Sequence, residues 1–305
     1  MKFETGKSNL LHNIFKGNNT LYKLILVNVL VFVAISLIRI IIKLFGINWA
    51  IYEVLQNNLY ISSEPIEVLE KPWTLLTYMF MHAGILHILF NMLWLYWFGK
   101  IFMDYLYKRK LLVTYFLGGL SGAVVYILAY QFIPYLQDKT SLMVGASASV
   151  VAIIVSTATL LPNYQVSLLF FGSVKLKYIA IVMVVIDVLS LEGNNIGGSF
   201  AHLGGALYGF LYILQLKKGH DIGDWLSSII DFFVNTFQRI LHHTPRNKPF
   251  KVYHTQTKKS NPSPQKNQNL ADQKVIDNIL DKIAKSGYES LTDKEKDILF
   301  NASKK

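Results

Sequence analysis

Four stretches of this 305-residue chain, 72–99, 111–137, 140–174 and 193–216, contain no Asp, Glu, Lys or Arg. Together with the apolar run that opens at Leu21, they are long enough to cross a hydrocarbon core, which takes about 20 mostly apolar residues as a helix. A bilayer admits only helices or closed barrels, because an unpaired backbone group finds no water there. The apolar-out, polar-in alternation of barrel strands is absent, so the pattern predicts helices. Six spans follow, roughly 21–44, 76–101, 111–132, 144–161, 178–191 and 200–216. The predicted fold class is all-α: a polytopic membrane protein, a six-helix bundle with a carboxyl-terminal tail.

The bases set the orientation. Lys2, Lys7, Lys16 and Lys23 precede or open span one; Lys100, Lys108, Arg109 and Lys110 separate spans two and three. Lys175 and Lys177 lie between spans four and five, and Lys217 and Lys218 follow span six. The alternate loops hold only Lys71 and Lys139. Cytoplasmic loops carry the Lys and Arg excess, so both termini are expected in the cytoplasm. Arg39 and Lys43, at the far end of span one, run against the count and are expected to snorkel to the outer interface. The loop 46–72 mixes acids with Trp49, Tyr52, Leu55 and Tyr60; it is either an amphipathic lid in the outer headgroup region or an ordinary solvated loop.

Composition changes after Leu216. Trp225, Ile229, Ile230, Phe233, Phe237 and Ile240 recur at helical spacing, so 219–243 is expected to be an interfacial helix. The segment 244–270 is basic, acid-free and proline-rich, the composition of a disordered linker beside anionic lipid. The remainder, 271–305, predicts a small helical module, with Ile276, Leu280 and Ile283 on one face and a capping box from Thr292 to Glu295. The first 20 residues are polar and lack the short apolar core of a cleavable signal, leaving 21–218 as the membrane domain.

The net charge of +11 is accounted for by loops and tail beside membrane segments, so nucleic acid is not an expected partner. The absence of cysteine excludes disulfides, thiol catalysis and thiolate metal sites.

Polar side chains carry the chemistry. With the amino terminus inside, spans two, four and six all enter from outside, and His82, His87, Ser147 and His202 each sit early in one of them. Similar depth for all four follows. Ser147 stands among small neighbours, Gly145, Ala146 and Ala148, at a helix start whose free N–H groups suit an oxyanion; the plainer alternative is helix packing. His202 is followed by Gly205 and Gly209, which with Ala201 make a smooth face at intervals of four. Such a face permits the close approach that a Ser–His hydrogen bond between two helices requires, although an imidazole can also simply hold helices together. His87 and Asn91 share a helix face and both can donate, as an oxyanion hole requires; metal binding or a helix–helix bond are the alternatives. No carboxylate cluster or second His pair joins them, so no metal is expected. His82 points elsewhere and is given a structural hydrogen-bonding role. Asp187 is the one acid inside a predicted span, near its outer end; it is expected to be solvated or bonded to Ser or Tyr groups and is not assigned to catalysis.

The stretch Trp73 to Asn91, with Gly145-Ala-Ser147-Ala and Ala201-His202-Leu-Gly-Gly, resembles three successive motifs of the rhomboid intramembrane serine proteases, over about residues 20–218. The resemblance implies a rhomboid-like bundle in which Ser147 is the nucleophile and His202 the general base. It also implies an oxyanion hole made by His87, Asn91 and the Ser147 N–H, with His82, Gly145 and Gly205 in structural roles nearby. The family uses a Ser–His dyad without an acid. Two departures stand out: Ala148 where the family usually has Gly, and Thr74 where many members have Arg.

The implied function is a serine endopeptidase of a bacterial inner membrane, cleaving transmembrane segments of other membrane proteins near the outer face, with no cofactor. Substrate helices and the lipid bilayer are its partners; the sequence names none for the tail. The rivals are a catalytically inactive rhomboid-like binder of membrane helices, which typically lacks the Ser or His, and a small transporter, which predicts broken helices with charges near the midplane.

Overall fold

The computed structural model describes residues 20–168, 172–241 and 264–302. It is a polytopic helical protein. Helix α1 (Thr20–Leu44) is followed by short helices α2 (Ala50–Leu59) and α3 (Pro65–Glu70), with strand β1 (Ile61–Ser62) between them. After helical turns at Thr74–Thr77 and Tyr78–Phe80 come α4 (Ile85–Tyr105) and α5 (Lys108–Phe132). Strand β2 (Leu142–Met143) leads into α6 (Ser147–Leu160). A hairpin of β3 (Gln165–Leu168) and β4 (Gly172–Lys175) precedes α7 (Leu176–Leu189), which is followed by α8 (Ile196–Lys217) and α9 (Asp224–Leu241). Helices α1, α4 and α5 are long and apolar enough, by length and composition, to cross a membrane; α6 is apolar but shorter.

Burial explains the arrangement. Every residue of α6 from Ala148 to Ala158 is buried, so this helix is the axis on which α4, α5, α7 and α8 pack. The seam between α6 and α8 is made of small residues. A Cβ added at Gly205 would strike the Ala148 carbonyl oxygen, and one at Gly209 the Ala152 carbonyl oxygen. Small residues let backbones close up where lipid supplies no hydrophobic drive between helices. The outward faces are aliphatic and open: Leu30, Leu37 and Ile41 on α1, Ile181, Val185 and Val188 on α7. An apolar exterior around a core holding buried polar groups suits lipid as the solvent.

The second element departs from the sequence expectation. A continuous span from 76 is not formed; the chain makes two short turns, becomes extended at Gly84, and only then enters α4. His82 therefore lies before the helix, not within it. Tyr78 and Met79, in the second of these turns, are fully buried side chains.

The two ends of the bundle differ. At one end, β1 pairs antiparallel with β2, Ile61 opposite Met143, so the α1–α4 loop is tied to the entry of α6. Within that loop the Lys71 ammonium and Trp73 indole donate to the carbonyls of Asn57 and Asn58, and Thr77 Oγ1 donates to Leu59. Thr74, the departure from the family pattern, bonds the Lys71 carbonyl at 2.7 Å. The loop is thus built structure, with exposed Trp49, Ile66 and Leu69. At the other end sit Lys108, Arg109, Lys110, Lys175, Lys177 and Lys217. Lys110 pairs with Asp221, Arg109 Nη1 with Asp231 at 3.0 Å, and Lys217 Nζ bonds the Thr159 carbonyl at 2.7 Å. Burial works to raise the Asp221 carboxyl, but hydrogen bonds from Lys110 and the Gly223 N–H outweigh it and hold this acid below its ordinary range. These contacts fasten α9 to the start of α5. One side of α9 packs Leu226 and Ile230 on Val113 and Tyr212, while Trp225 and Ile229 stay exposed.

Residues 1–19 and 242–263, where the amino-terminal segment and most of the basic linker fall, lie outside the described residues. A second compact unit, 243–305, contains α10 (Pro264–Ser286) and α11 (Asp293–Ala302), so a helix takes in 264–270, which the sequence assigns to the linker. Ile279 and Leu291 are its buried apolar residues. The Thr292 N–H and hydroxyl both donate to Glu295 Oε2, at 2.8 and 2.9 Å, the back-reaching half of a capping box. With Lys282 bonding the same carboxylate, and then Thr292, Glu295 is held down to about 2.

Candidate active site

The site is assembled on the buried turn at Tyr78–Phe80. The Tyr78 carbonyl accepts from the Gly145 N–H at 3.0 Å, and its hydroxyl donates to the Gly119 carbonyl at 2.6 Å. The Tyr115 hydroxyl donates to the Met79 carbonyl at 2.9 Å. One turn, held by α5, therefore fixes the entry of α6 and the approach to α4 together.

Ser147 is the first residue of α6. Gly145, two residues before it, has φ +133°, a conformation that side-chain-bearing residues rarely adopt. A Cβ there would lie 2.9 Å from His87 Nε2 and 3.4 Å from Ser147 Oγ. The bare α-carbon of Gly145 thus leaves the imidazole and the hydroxyl facing each other across it. The first N–H groups of α6, Ser147 included, have no carbonyl within the helix to bond and carry the positive end of its dipole. The extra methyl of Ala148 is accommodated: the residue is 2% exposed and packs on Gly122, where a Cβ would meet it at 2.6 Å.

His87 lies in the first turn of α4, with Asn91 one turn on and buried. Ala83 N–H points at His87 Nδ1 over a long 3.4 Å, which leaves the proton of a neutral ring on Nε2, toward Gly145 and Ser147. Asn91 Nδ2 donates to the His87 carbonyl at 2.8 Å and keeps a second N–H for another acceptor. His82 is buried with its ring 5.3 Å from that of His87, and its Nδ1 meets the Phe80 carbonyl at 3.3 Å. The two rings meet edge to face.

His202 is on the second turn of α8, one turn before Gly205, whose lack of a side chain lets α8 touch the α6 backbone beside Ser147. Ser147, His202, His87, Asn91 and Gly145 all line one cavity of about 790 Å³. Its walls come from α4, the entry and first turns of α6, and α8, with Met183, Ile186 and Asp187 of α7 opposite Leu86, Phe90 and Trp94 of α4. The 14 residues of α6 span about 21 Å at 1.5 Å each. Its far end lies beside Lys217 at the basic end of the bundle, so Ser147 stands at the opposite end of α6. Of the four residues expected at similar depth, His87, Ser147 and His202 line this recess and His82 does not.

The acid was not foreseen. Asp187 Oδ1 is 2.7 Å from His202 Nδ1, with the two side chains only 13% and 22% exposed. Its hydrogen-bond partner is thus an imidazole and not a Ser or Tyr, and an acid does stand beside His202. The signal was present: an ionisable residue in a membrane span is costly and carries a functional presumption. Its partner was invisible because α7 and α8 meet only in the fold.

Fold and site define a polytopic helical membrane protein in which Ser147, His87, Asn91, Asp187 and His202 line one recess. Comparison with known proteins makes this specific. Residues 69–218 match the Rhomboid domain family, and residues 266–305 match a family of unknown function, DUF6576. The chain belongs to the rhomboid family. It is 31% identical over 185 residues to RHOMBOID-like protein 12, mitochondrial, of Arabidopsis thaliana, covering 56% of this chain and 54% of that protein. RHOMBOID-like protein 7 of the same plant is 30% identical over 179 residues, 56% of this chain and 51% of the relative. Presenilin-associated rhomboid-like protein A, mitochondrial, of Danio rerio is 25% identical over 147 residues, 47% and 36% respectively. The match thus spans about half the length of these relatives, or less.

Proposed function

We propose that the chain is an intramembrane serine endopeptidase acting on transmembrane segments of other membrane proteins. The carrying observation is that Ser147, at a helix amino terminus, and His202 line one cavity beneath a membrane face, with an imidazole N–H donor beside the hydroxyl. Ser147 Oγ attacks the scissile carbonyl carbon as its proton passes to His202 Nε2. The oxyanion takes hydrogen bonds from the Ser147 N–H, His87 Nε2–H and Asn91. The C–N bond then breaks, the leaving amine takes the proton from His202, and water repeats the sequence to release the acyl chain. Each oxyanion donor contributes about 3 kcal/mol in comparable enzymes.

In a cell inner membrane, the lysine and arginine asymmetry supports an orientation with the basic end of the bundle in the cytoplasm and the recess toward the outer face.

The test is a fluorophosphonate probe on the full chain in proteoliposomes, alongside a reporter with one cleavable transmembrane helix. Labelling and cleavage are expected in wild type and absent in Ser147→Ala and His202→Ala. Unchanged cleavage by Ser147→Ala removes the nucleophile. A folded wild type that neither labels nor cleaves is a binder of membrane helices instead.

A further inference from the structure

We propose that Asp187 is a positioning residue of this site: its carboxylate accepts the Nδ1–H of His202 and holds the imidazole in the one tautomer and rotation that leaves Nε2 free for the Ser147 proton. The inference rests on the reading of His202 as general base and goes beyond the two-residue arrangement implied by resemblance.

Geometry carries it. The Oδ1 to Nδ1 separation of 2.7 Å is that of a charge-assisted hydrogen bond. Asp187 is the one acid of α7, whose other residues from Tyr178 to Leu189 are apolar apart from the Tyr178 phenol and whose outer face carries exposed Ile181, Val185 and Val188. A carboxylate on such a helix is costly without a partner, and it turns inward to line the cavity that holds Ser147. An imidazole with one nitrogen committed as donor has the other left as acceptor. During attack the carboxylate stays ionised and faces the imidazolium that forms; no proton passes to it. Neither Asp187 nor His202 is in contiguous sequence with the serine, so the arrangement depends on α7 staying against α8.

Three variants test this in the full chain: Asp187→Asn, near-isosteric but able to present an N–H to Nδ1; Asp187→Leu, similar in size and apolar; and Asp187→Glu, which restores the acceptor. Asp187→Asn and Asp187→Leu are expected to slow Ser147-dependent fluorophosphonate labelling by about 10²–10⁴-fold, in line with serine hydrolases that lose the acid. For a cleavable reporter the loss falls on kcat with KM nearly unchanged, and Asp187→Glu recovers at least tenfold over Asp187→Leu. A second readout does not depend on catalysis. With ¹⁵N-histidine labelling, His202 Nδ1–H gives a low-field, exchange-protected proton in wild type that is lost in Asp187→Leu. Labelling within twofold of wild type in both slow variants overturns the proposal and leaves the hydrolase reading intact. A wild type that never labels removes the hydrolase reading, and the resonance then decides the Asp187–His202 bond by itself: its absence from wild type, or its persistence in Asp187→Leu, overturns the assignment.

Discussion

Gly145 shows how much of the site depends on one missing atom. Its φ of +133° lies where a Cβ is strained, and the Cβ would sit 2.9 Å from His87 Nε2. Backbone strain of this kind costs about 1–3 kcal/mol, and the methyl would also push the imidazole away from the hydroxyl. Gly145→Ala is therefore expected to cut fluorophosphonate labelling at least tenfold while lowering the midpoint of thermal unfolding by only a few degrees. Equal rates for the two proteins, measured under pseudo-first-order conditions, would refute a tight Gly145–His87–Ser147 arrangement. The same scale shows what the sequence could reveal. That His87, Ser147 and His202 would meet at one recess was legible because span polarity puts them early in spans entering from the same side, and Asn91 followed from sharing a helix face with His87. Asp187 was not, since its role depends on a 15-residue separation closing through the α7–α8 connection, and no local pattern encodes which carbonyl, water or imidazole will meet a lone acid.

Elements transmit this geometry through the α6–α8 seam. A Cβ at Gly205 meets the Ala148 carbonyl oxygen, a backbone atom that cannot move aside without shifting the first turn of α6, which carries Ser147. Gly84 makes the contrast: its φ of −170° is ordinary extended backbone, and a Cβ there meets nothing within 4 Å. Gly205→Ala is expected to destabilise by about 1–3 kcal/mol through overpacking and to abolish labelling, whereas Gly84→Ala leaves both unfolding midpoint and labelling within error. A Gly205→Ala protein that melts and labels like wild type would mean that α8 does not bear on Ser147. The helices themselves were largely legible, since uncharged runs of this length have few alternatives. The break before α4 was not. Residues 76–99 contain no charged side chain, so hydropathy continues through the point where Met81 to Gly84 leave helical geometry. The turn before the break is held by tertiary bonds that hydropathy does not encode, from Tyr78 to Gly119 and from Tyr115 to Met79.

At the scale of the whole molecule, the bundle is polar in the electrical sense. Lys100, Lys108, Arg109, Lys110, Lys175, Lys177, Lys217 and Lys218 collect at the end away from the recess, against Lys71 and Lys139 in the loops near it. Each base held on the cytoplasmic side of a membrane avoids translocation against the potential, worth about 2.3 kcal/mol per charge at 100 mV. A reversed insertion would carry these eight bases across, with only Asp104, Asp221, Asp224 and Asp231 at that end to offset them. The chain has no cysteine, so single cysteines report topology without background. Glu67 and Asp138 are exposed at the recess end, Asn163 and His220 at the basic end. In sealed cells, a membrane-impermeant maleimide is expected to label Glu67→Cys and Asp138→Cys, and to reach Asn163→Cys and His220→Cys only after permeabilisation. The inverse pattern would turn the recess toward the cytoplasm. Ser147 would then meet substrate helices near their inner ends, and a reporter would be cut there, so topology and cleavage position must agree or both assignments fall together.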